Sequence, residues 1–126
     1  MSLLICSTHA YTSCQLSDIA EGLCYLHSRN VVHGDLKGVR DYSEYRFTTV
    51  LISGQLNVLV DAAGHARIMG FCLATVTTDA DPDQITRGQH GGSEWWSAPE
   101  VLEGGATSKK TDIFSFAMVI IEVRHG

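Results

Sequence analysis

Apolar residues recur at three- and four-residue spacing through Leu16, Ile19, Ala20, Leu23, Cys24 and Leu26, which marks one face of an amphipathic helix. The spacing predicts a helix over residues 13–27, ended by Ser28-Arg29-Asn30. Val31-Val32 then reads as a short strand. Two β-prone runs follow, Asn57-Val58-Leu59-Val60 and Ala66-Arg67-Ile68-Met69, joined by Asp61-Ala62-Ala63-Gly64-His65. With Gly64 supplying the turn, they predict a hairpin. Residues 73–97 are polar and rich in turn formers, which predicts a long loop. Pro99 suits the first turn of a short helix through Leu102, closed by Gly104-Gly105. A last helix over residues 109–123 can be capped by Thr107 or Ser108. Its centre, Ile113 to Ile121, is apolar nearly all round, the pattern of a helix buried on every side.

Composition places these elements in one domain of ordinary size. The chain has 126 residues, 44% of them hydrophobic, and a mean hydropathy of +0.05, values typical of a globular chain. The net charge of −5 comes with no basic patch, so nothing points to nucleic acid. No apolar run reaches the roughly 18 residues that would span a bilayer. Met1 to Cys6 lacks the basic start and long apolar stretch of a secretory signal, so a cytoplasmic protein is expected. Cys6, Cys14, Cys24 and Cys72 form no C-x-x-C pair and have no histidine at zinc-ligand spacing. They read as reduced thiols, with Cys14 and Cys24 as small apolar helix residues. The fold class expected is α+β, mainly helical, with short β-hairpins. Residues 1–12 are expected to be an irregular segment before a domain at 13–126.

The chemistry concentrates in Val31-Val32-His33-Gly34-Asp35-Leu36-Lys37. Downstream, in order, come Asn57-Val58-Leu59-Val60, Ala66-Arg67-Ile68, Phe71-x-Leu73-Ala74, Trp96-Ser97-Ala98-Pro99-Glu100 and Thr111-Asp112-Ile113-Phe114-Ser115-Phe116. Together with the helix ending Tyr25-Leu26-His27-Ser28, this series resembles the large lobe of a eukaryotic-type protein kinase of the tyrosine-kinase-like Ser/Thr group. The resemblance runs from the helix before the catalytic loop to the central buried helix. It implies ATP and Mg2+ as cofactors and a protein Ser/Thr hydroxyl as phosphate acceptor. Phosphoryl transfer needs the acceptor aimed in line and the phosphate charge neutralised. On that resemblance Asp35 would take the acceptor's proton and Lys37 would sit against the γ-phosphate. Asn57 would hold a magnesium ion and Leu59 would floor the adenine. His33 and Asp112 would be structural, with Asp112 orienting the loop backbone. Without the resemblance, Asp35 reads as a solvated turn aspartate and His33 as a packed core histidine.

Two departures bear on activity. Gly34 stands where many kinases carry an arginine that pairs with a phosphorylated activation segment. Gly70-Phe71-Cys72 occupies the place of the family's Asp-Phe-Gly, so Gly70 replaces the principal metal-binding carboxylate. Without it the transition-state charge loses most of its compensation, which implies weak activity or none. There is also no Gly-x-Gly-x-x-Gly and no strand lysine in a Val-Ala-Ile-Lys-like setting. Gly104-Gly105-Ala106-Thr107-Ser108-Lys109 lacks the order of a phosphate loop and reads as helix capping.

The spacing is broken as well. The family's asparagine follows the aspartate by five positions, where Arg40 now stands, and Asn57 lies 22 on. Removing residues 39–55 restores the spacing. Valine codons begin GT and glutamine can be CAG, so the segment can start and end as an unspliced, translated intron; the alternative is a true loop insertion. The function expected is a protein-kinase-like fragment with ATP and a protein substrate as partners, with neither nucleic acid nor membrane. Two alternatives stand beside it. One is a pseudokinase module binding a protein partner around Trp95 and Trp96. The other is a fragment that does not fold alone, because an apolar face from Phe114 to Ile121 would be left open.

Overall fold

The computed structural model describes residues 8–38, 40–41, 57–78 and 94–125, with backbone alone for 8–12, 40 and 41. Helix α1 spans Thr8–Ser28, strand β1 Val31–Val32 and strand β2 Arg40–Asp41. Strands β3 and β4 are Val58–Val60 and Ala66–Ile68, and β5 is Thr75–Val76. Helix α2 covers Pro99–Leu102 and α3 Lys109–His125, with single 3-10 turns at Phe71–Leu73 and Glu94–Trp96. The result is a small α+β assembly.

The α1 stripe faces inward as its spacing demands: Ile19 and Leu23 are buried and Leu16 packs beside them. Cys24 does not join them. It is exposed, because it lies about 100° round the helix from Leu23. Cys14 and Cys72 are exposed free thiols too, and Cys6 lies outside the described residues. The helix starts at Thr8 rather than residue 13, so residues 8–12 are not the irregular segment expected. Thr8-His9-Ala10-Tyr11-Thr12 contains neither glycine nor proline, so nothing stops the helix from extending backwards.

Strands β3 and β4 form the expected antiparallel hairpin, with Val58 opposite Ile68, Leu59 opposite Arg67 and Val60 opposite Ala66. Its turn is organised by Asp61, whose carboxylate accepts the main-chain N–H groups of Ala63 and His65, both at 3.0 Å. Gly64 takes the left-handed conformation the turn needs, at φ 88°. The His65 N–H chiefly holds the Asp61 carboxyl below its ordinary value, against some loss of hydration, with Arg67 and Ala63 adding to the lowering. On α1, Asp18 accepts the Ala66 N–H at 2.9 Å and fastens helix to hairpin.

The long polar stretch holds a strand the pattern does not reveal. Thr75 and Val76 pair antiparallel with Val32 and Val31. Residues 79–93 of the expected loop lie outside the described residues. Helix α3 begins after Ser108, which donates its main-chain N–H to the Thr111 hydroxyl at 2.8 Å and accepts the Thr111 N–H at 3.3 Å. That reciprocal pair is a capping box with threonine in the third position. Val119 is buried, yet Ile113 and Ile121 are half exposed, at 54% and 50%. Phe114, 37% exposed, and Ile121 thus lie open, as the sequence implies for the apolar face from Phe114 to Ile121. Among the described residues, no helix is long and apolar enough to cross a membrane.

Of residues 39–55, the segment read from the sequence as an insertion, Arg40 and Asp41 pair parallel with Leu59 and Val60, and the other fifteen residues lie outside the described ones. Its neck is closed: the Asn57 N–H donates to the Lys37 carbonyl at 3.0 Å. Deleting residues 39–55 should therefore leave a folded chain. Shortening the loop favours folding by about 2 kcal/mol, and losing the β2 pairing offsets part of that. Urea unfolding of the deletion variant should give a stability within about 1 kcal/mol of the parent, or above it. Failure of the variant to fold would show the insertion to be structural.

Candidate active site

Strand β1 delivers the chain into the loop at His33, and α3 holds that loop from below. The Asp112 carboxylate, 1% exposed, accepts the main-chain N–H of His33 at 2.8 Å and of Gly34 at 2.9 Å. It also accepts the His27 Nε2–H at 2.8 Å, which ties the end of α1 into the same knot. His33 is buried and serves as a brace. Its Nδ1 accepts the Asp35 N–H at 3.2 Å and its Nε2 faces the Met69 carbonyl at 2.8 Å. A main-chain N–H can only donate and a carbonyl can only accept, so these partners select the neutral Nε2–H tautomer.

Gly34 is at φ 78°, and a Cβ there would lie 2.9 Å from the Leu73 carbonyl oxygen. The arginine common at this position in the family would not fit this backbone. Past Gly34, the side chains alternate between two environments. Leu36, 1% exposed, enters the core with Ile19, Leu23, Val58, Ala66 and Val119. Asp35 and Lys37 on either side meet each other, Lys37 Nζ lying 3.1 Å from Asp35 Oδ2.

Asn57 joins them across the neck of the insertion. Its Nδ2 donates to the Asp35 carbonyl and, at 2.9 Å, to Asp35 Oδ2. The structure thus brings Asp35, Lys37 and Asn57 into one hydrogen-bonded cluster despite their separation in sequence. Leu59 sits apart from it. Val58 and Val60 are buried and Leu59 between them is half buried, so it faces away from the core on the opposite side of the sheet. Gly70 lies against Asn57 at φ 76°.

Magnesium prefers six oxygens in near-ideal octahedral geometry, with one or two carboxylates among them. Asp35 Oδ2 already faces an amide N–H and an ammonium, and Asn57 turns its nitrogen, not its oxygen, to that carboxylate. Among the described residues there is no group of three His, Cys, Asp or Glu side chains able to hold a metal. The residues present do not fit the ion. An open cleft of about 380 Å³ between α1 and the hairpin is lined by residues including Asp18, Glu21, Tyr25, His65, Arg67 and Phe71. Asp35, Lys37 and Asn57 do not line it, so the cleft and the cluster are separate features.

Two supports escape a reading of the sequence. One is His27 on Asp112. The other is Lys109, whose Nζ donates to Asn30 Oδ1 at 2.8 Å while the Asn30 carbonyl accepts the Thr77 N–H at 2.7 Å. Their partners lie 85 and 79 positions away in the chain, and no local pattern signals such contacts.

A family model described as protein tyrosine and serine/threonine kinase matches residues 54–126. The chain is 31% identical over 105 residues to the serine/threonine-protein kinase STE11 of Saccharomyces cerevisiae, an overlap of 83% of this chain and 12% of that protein. It is 29% identical over 106 residues to a probable serine/threonine-protein kinase of Dictyostelium discoideum, covering 84% of this chain and 7% of the relative. It is also 28% identical over 111 residues to the cytokinesis protein sepH of Aspergillus niger, covering 88% and 7%. The chain therefore spans a small part of each of these relatives. The family model covers more than half of the chain: the chain belongs to the protein tyrosine and serine/threonine kinase family.

Proposed function

We propose that this chain is a large-lobe portion of a Ser/Thr protein kinase domain, with the catalytic loop assembled and metal-assisted phosphoryl transfer weak or lost. In this reading Asp35 descends from the residue that takes the acceptor hydroxyl's proton, Lys37 from the γ-phosphate ligand and Asn57 from a metal ligand. Leu59 would form the floor under the adenine of ATP. The observation that carries the reading is the Asp35–Lys37–Asn57 cluster, fixed to Asp112 yet lacking a carboxylate at Gly70. The family transfers the γ-phosphate of ATP with Mg2+, and losing one principal electrostatic stabiliser costs about 100- to 1,000-fold in rate. A cytoplasmic setting suits the free thiols at Cys14, Cys24 and Cys72.

The purified chain, given Mg2+, labelled ATP and a generic Ser/Thr protein substrate, should transfer phosphate at least about 100-fold below the 1–100 per second usual for kinases. Asp35→Asn should then change little. Robust transfer that Asp35→Asn abolishes would make the chain a working enzyme and sink the proposal.

One observation favours a second reading, a non-catalytic module that binds a protein partner. Trp95 is 80% exposed beside Trp96, whose indole N–H is fixed on Glu122 at 2.9 Å. Exposed tryptophan is enriched where proteins meet. Binding of a protein partner in the absence of nucleotide, weakened by Trp95→Ala, would support this reading.

A further inference from the structure

The inference rests on reading Asp35, Lys37 and Asn57 as a kinase-type cluster and goes a step beyond that reading. We propose that the cluster has closed on itself. The Asn57 amide has taken the space that a metal-binding side chain at position 70 would need, so restoring the aspartate alone does not restore a divalent-cation site.

The two glycines at the family's altered positions differ in what bars a larger residue. At Gly34 the obstacle is backbone, the Leu73 carbonyl oxygen. At Gly70 it is the Asn57 side chain: a Cβ built there overlaps both Oδ1 and Cγ of Asn57. The φ of 76° at Gly70 is not itself decisive, because aspartate enters the left-handed region more readily than most residues. The amide decides.

The end of an asparagine side chain usually swings aside easily, and here it is restrained. Asn57 is 6% exposed, and its Nδ2 donates to two oxygens of the same residue, the Asp35 carbonyl and Oδ2. Turning the amide away from position 70 breaks both bonds together. Its main chain is pinned on both sides as well: the Asn57 N–H donates to the Lys37 carbonyl at 3.0 Å, and the Met69 N–H donates to the Asn57 carbonyl at 2.8 Å. The second bond ties Asn57 to the residue just before Gly70, so neither strand can drift to make room.

The electrostatics point the same way. A cation shared between position 70 and Asn57 requires the amide oxygen to face the ion, clear of carbon atoms. In this chain that oxygen fills the place of the missing side chain. Charge compensation for Asp35 comes from the Lys37 ammonium at 3.1 Å and the amide N–H at 2.9 Å. The cluster is satisfied with no metal, and the glycine that removed a ligand also freed the space its former neighbour now holds.

The test uses Mn2+ alone, without nucleotide, on the full chain, with bound metal counted by electron paramagnetic resonance and the Asn57 side-chain NH2 signals followed by NMR. The parent should give no saturable Mn2+ site up to millimolar metal, with the Asn57 NH2 protons exchanging slowly. Gly70→Asp should lose that protection and still bind Mn2+ at least tenfold more weakly than Gly70→Asp/Asn57→Ala, in which the obstructing amide is gone. A Gly70→Asp variant that gains a saturable site while the Asn57 signals stay in place overturns the proposal. Should the aspartate variant not fold, Gly70→Ala tests the same space with one carbon. Unchanged Asn57 NH2 exchange in Gly70→Ala overturns the idea, and faster exchange supports it. Phosphate transfer is measured separately, so an active parent would defeat the functional reading without touching these results.

Discussion

Replacing Asp112 by alanine should remove about 3–5 kcal/mol of folding stability, read from the midpoint and slope of urea unfolding. The carboxylate is almost fully buried and serves three donors: His33 N–H, Gly34 N–H and the His27 ring. Alanine leaves all three without that acceptor in a site too enclosed to hydrate them freely, and each stranded donor costs about 1–3 kcal/mol. The sum is below three full penalties because His27 is partly exposed and can turn to water. Small domains keep only about 5–15 kcal/mol of net stability, so the change takes a large share of the total. Asp112→Asn should cost less, about 2 kcal/mol, since it keeps one oxygen acceptor while turning an NH2 toward a donor. The amides of His33 and Gly34 should lose hydrogen-exchange protection before those of the β3–β4 hairpin. An Asp112→Ala protein within 1 kcal/mol of the parent would mean that the loop is held by something else.

How much of this could be read from the chain depends on the range of the forces involved. The β3–β4 hairpin was legible because its alternation and the Gly64 turn are local, and its register follows from them. The inward face of α1 was legible down to Ile19 and Leu23, yet its start was not, since no breaker precedes residue 13. The α3 sequence is apolar on all sides, so it carries no period to tell which residues turn inward. Packing decided that, burying Val119 and leaving Ile113 exposed. The β1–β5 pair joins two-residue strands far apart in sequence, too short to show alternation. At the candidate site, Asp35 and Lys37 could be picked out as a local motif, and Asn57 only through the family resemblance. That Asn57 closes on Lys37 across the insertion, and that its amide fills the space at Gly70, are contacts between distant segments. No spacing encodes them.

Leu36→Ala should cost about 3–4 kcal/mol, within the range for emptying a buried leucine site, and should loosen the chemical cluster as well as the core. Leu36 is the residue between Asp35 and Lys37, and it points the other way, into a packed group drawn from α1, β3, β4 and α3. Four elements fix the walls of that pocket, so little of the cavity can collapse, and the cost falls above the lower end of the range. The consequence for the site follows from connectivity. With Leu36 seated, the main chain on both sides of it is immobilised, and Asp35 and Lys37 are held at the 3.1 Å separation observed. Without that anchor the loop keeps Asp112 at its first residues but loses its hold at the end facing Asn57. Hydrogen exchange at the Asn57 side-chain amide should therefore quicken in Leu36→Ala by more than global unfolding accounts for. Leu36→Met keeps the volume and should cost under about 1.5 kcal/mol with the amide still protected. A loss below about 1 kcal/mol for the alanine variant, or Asn57 protection unchanged beside a large loss, would separate the core from the cluster and show that Leu36 anchors only the former.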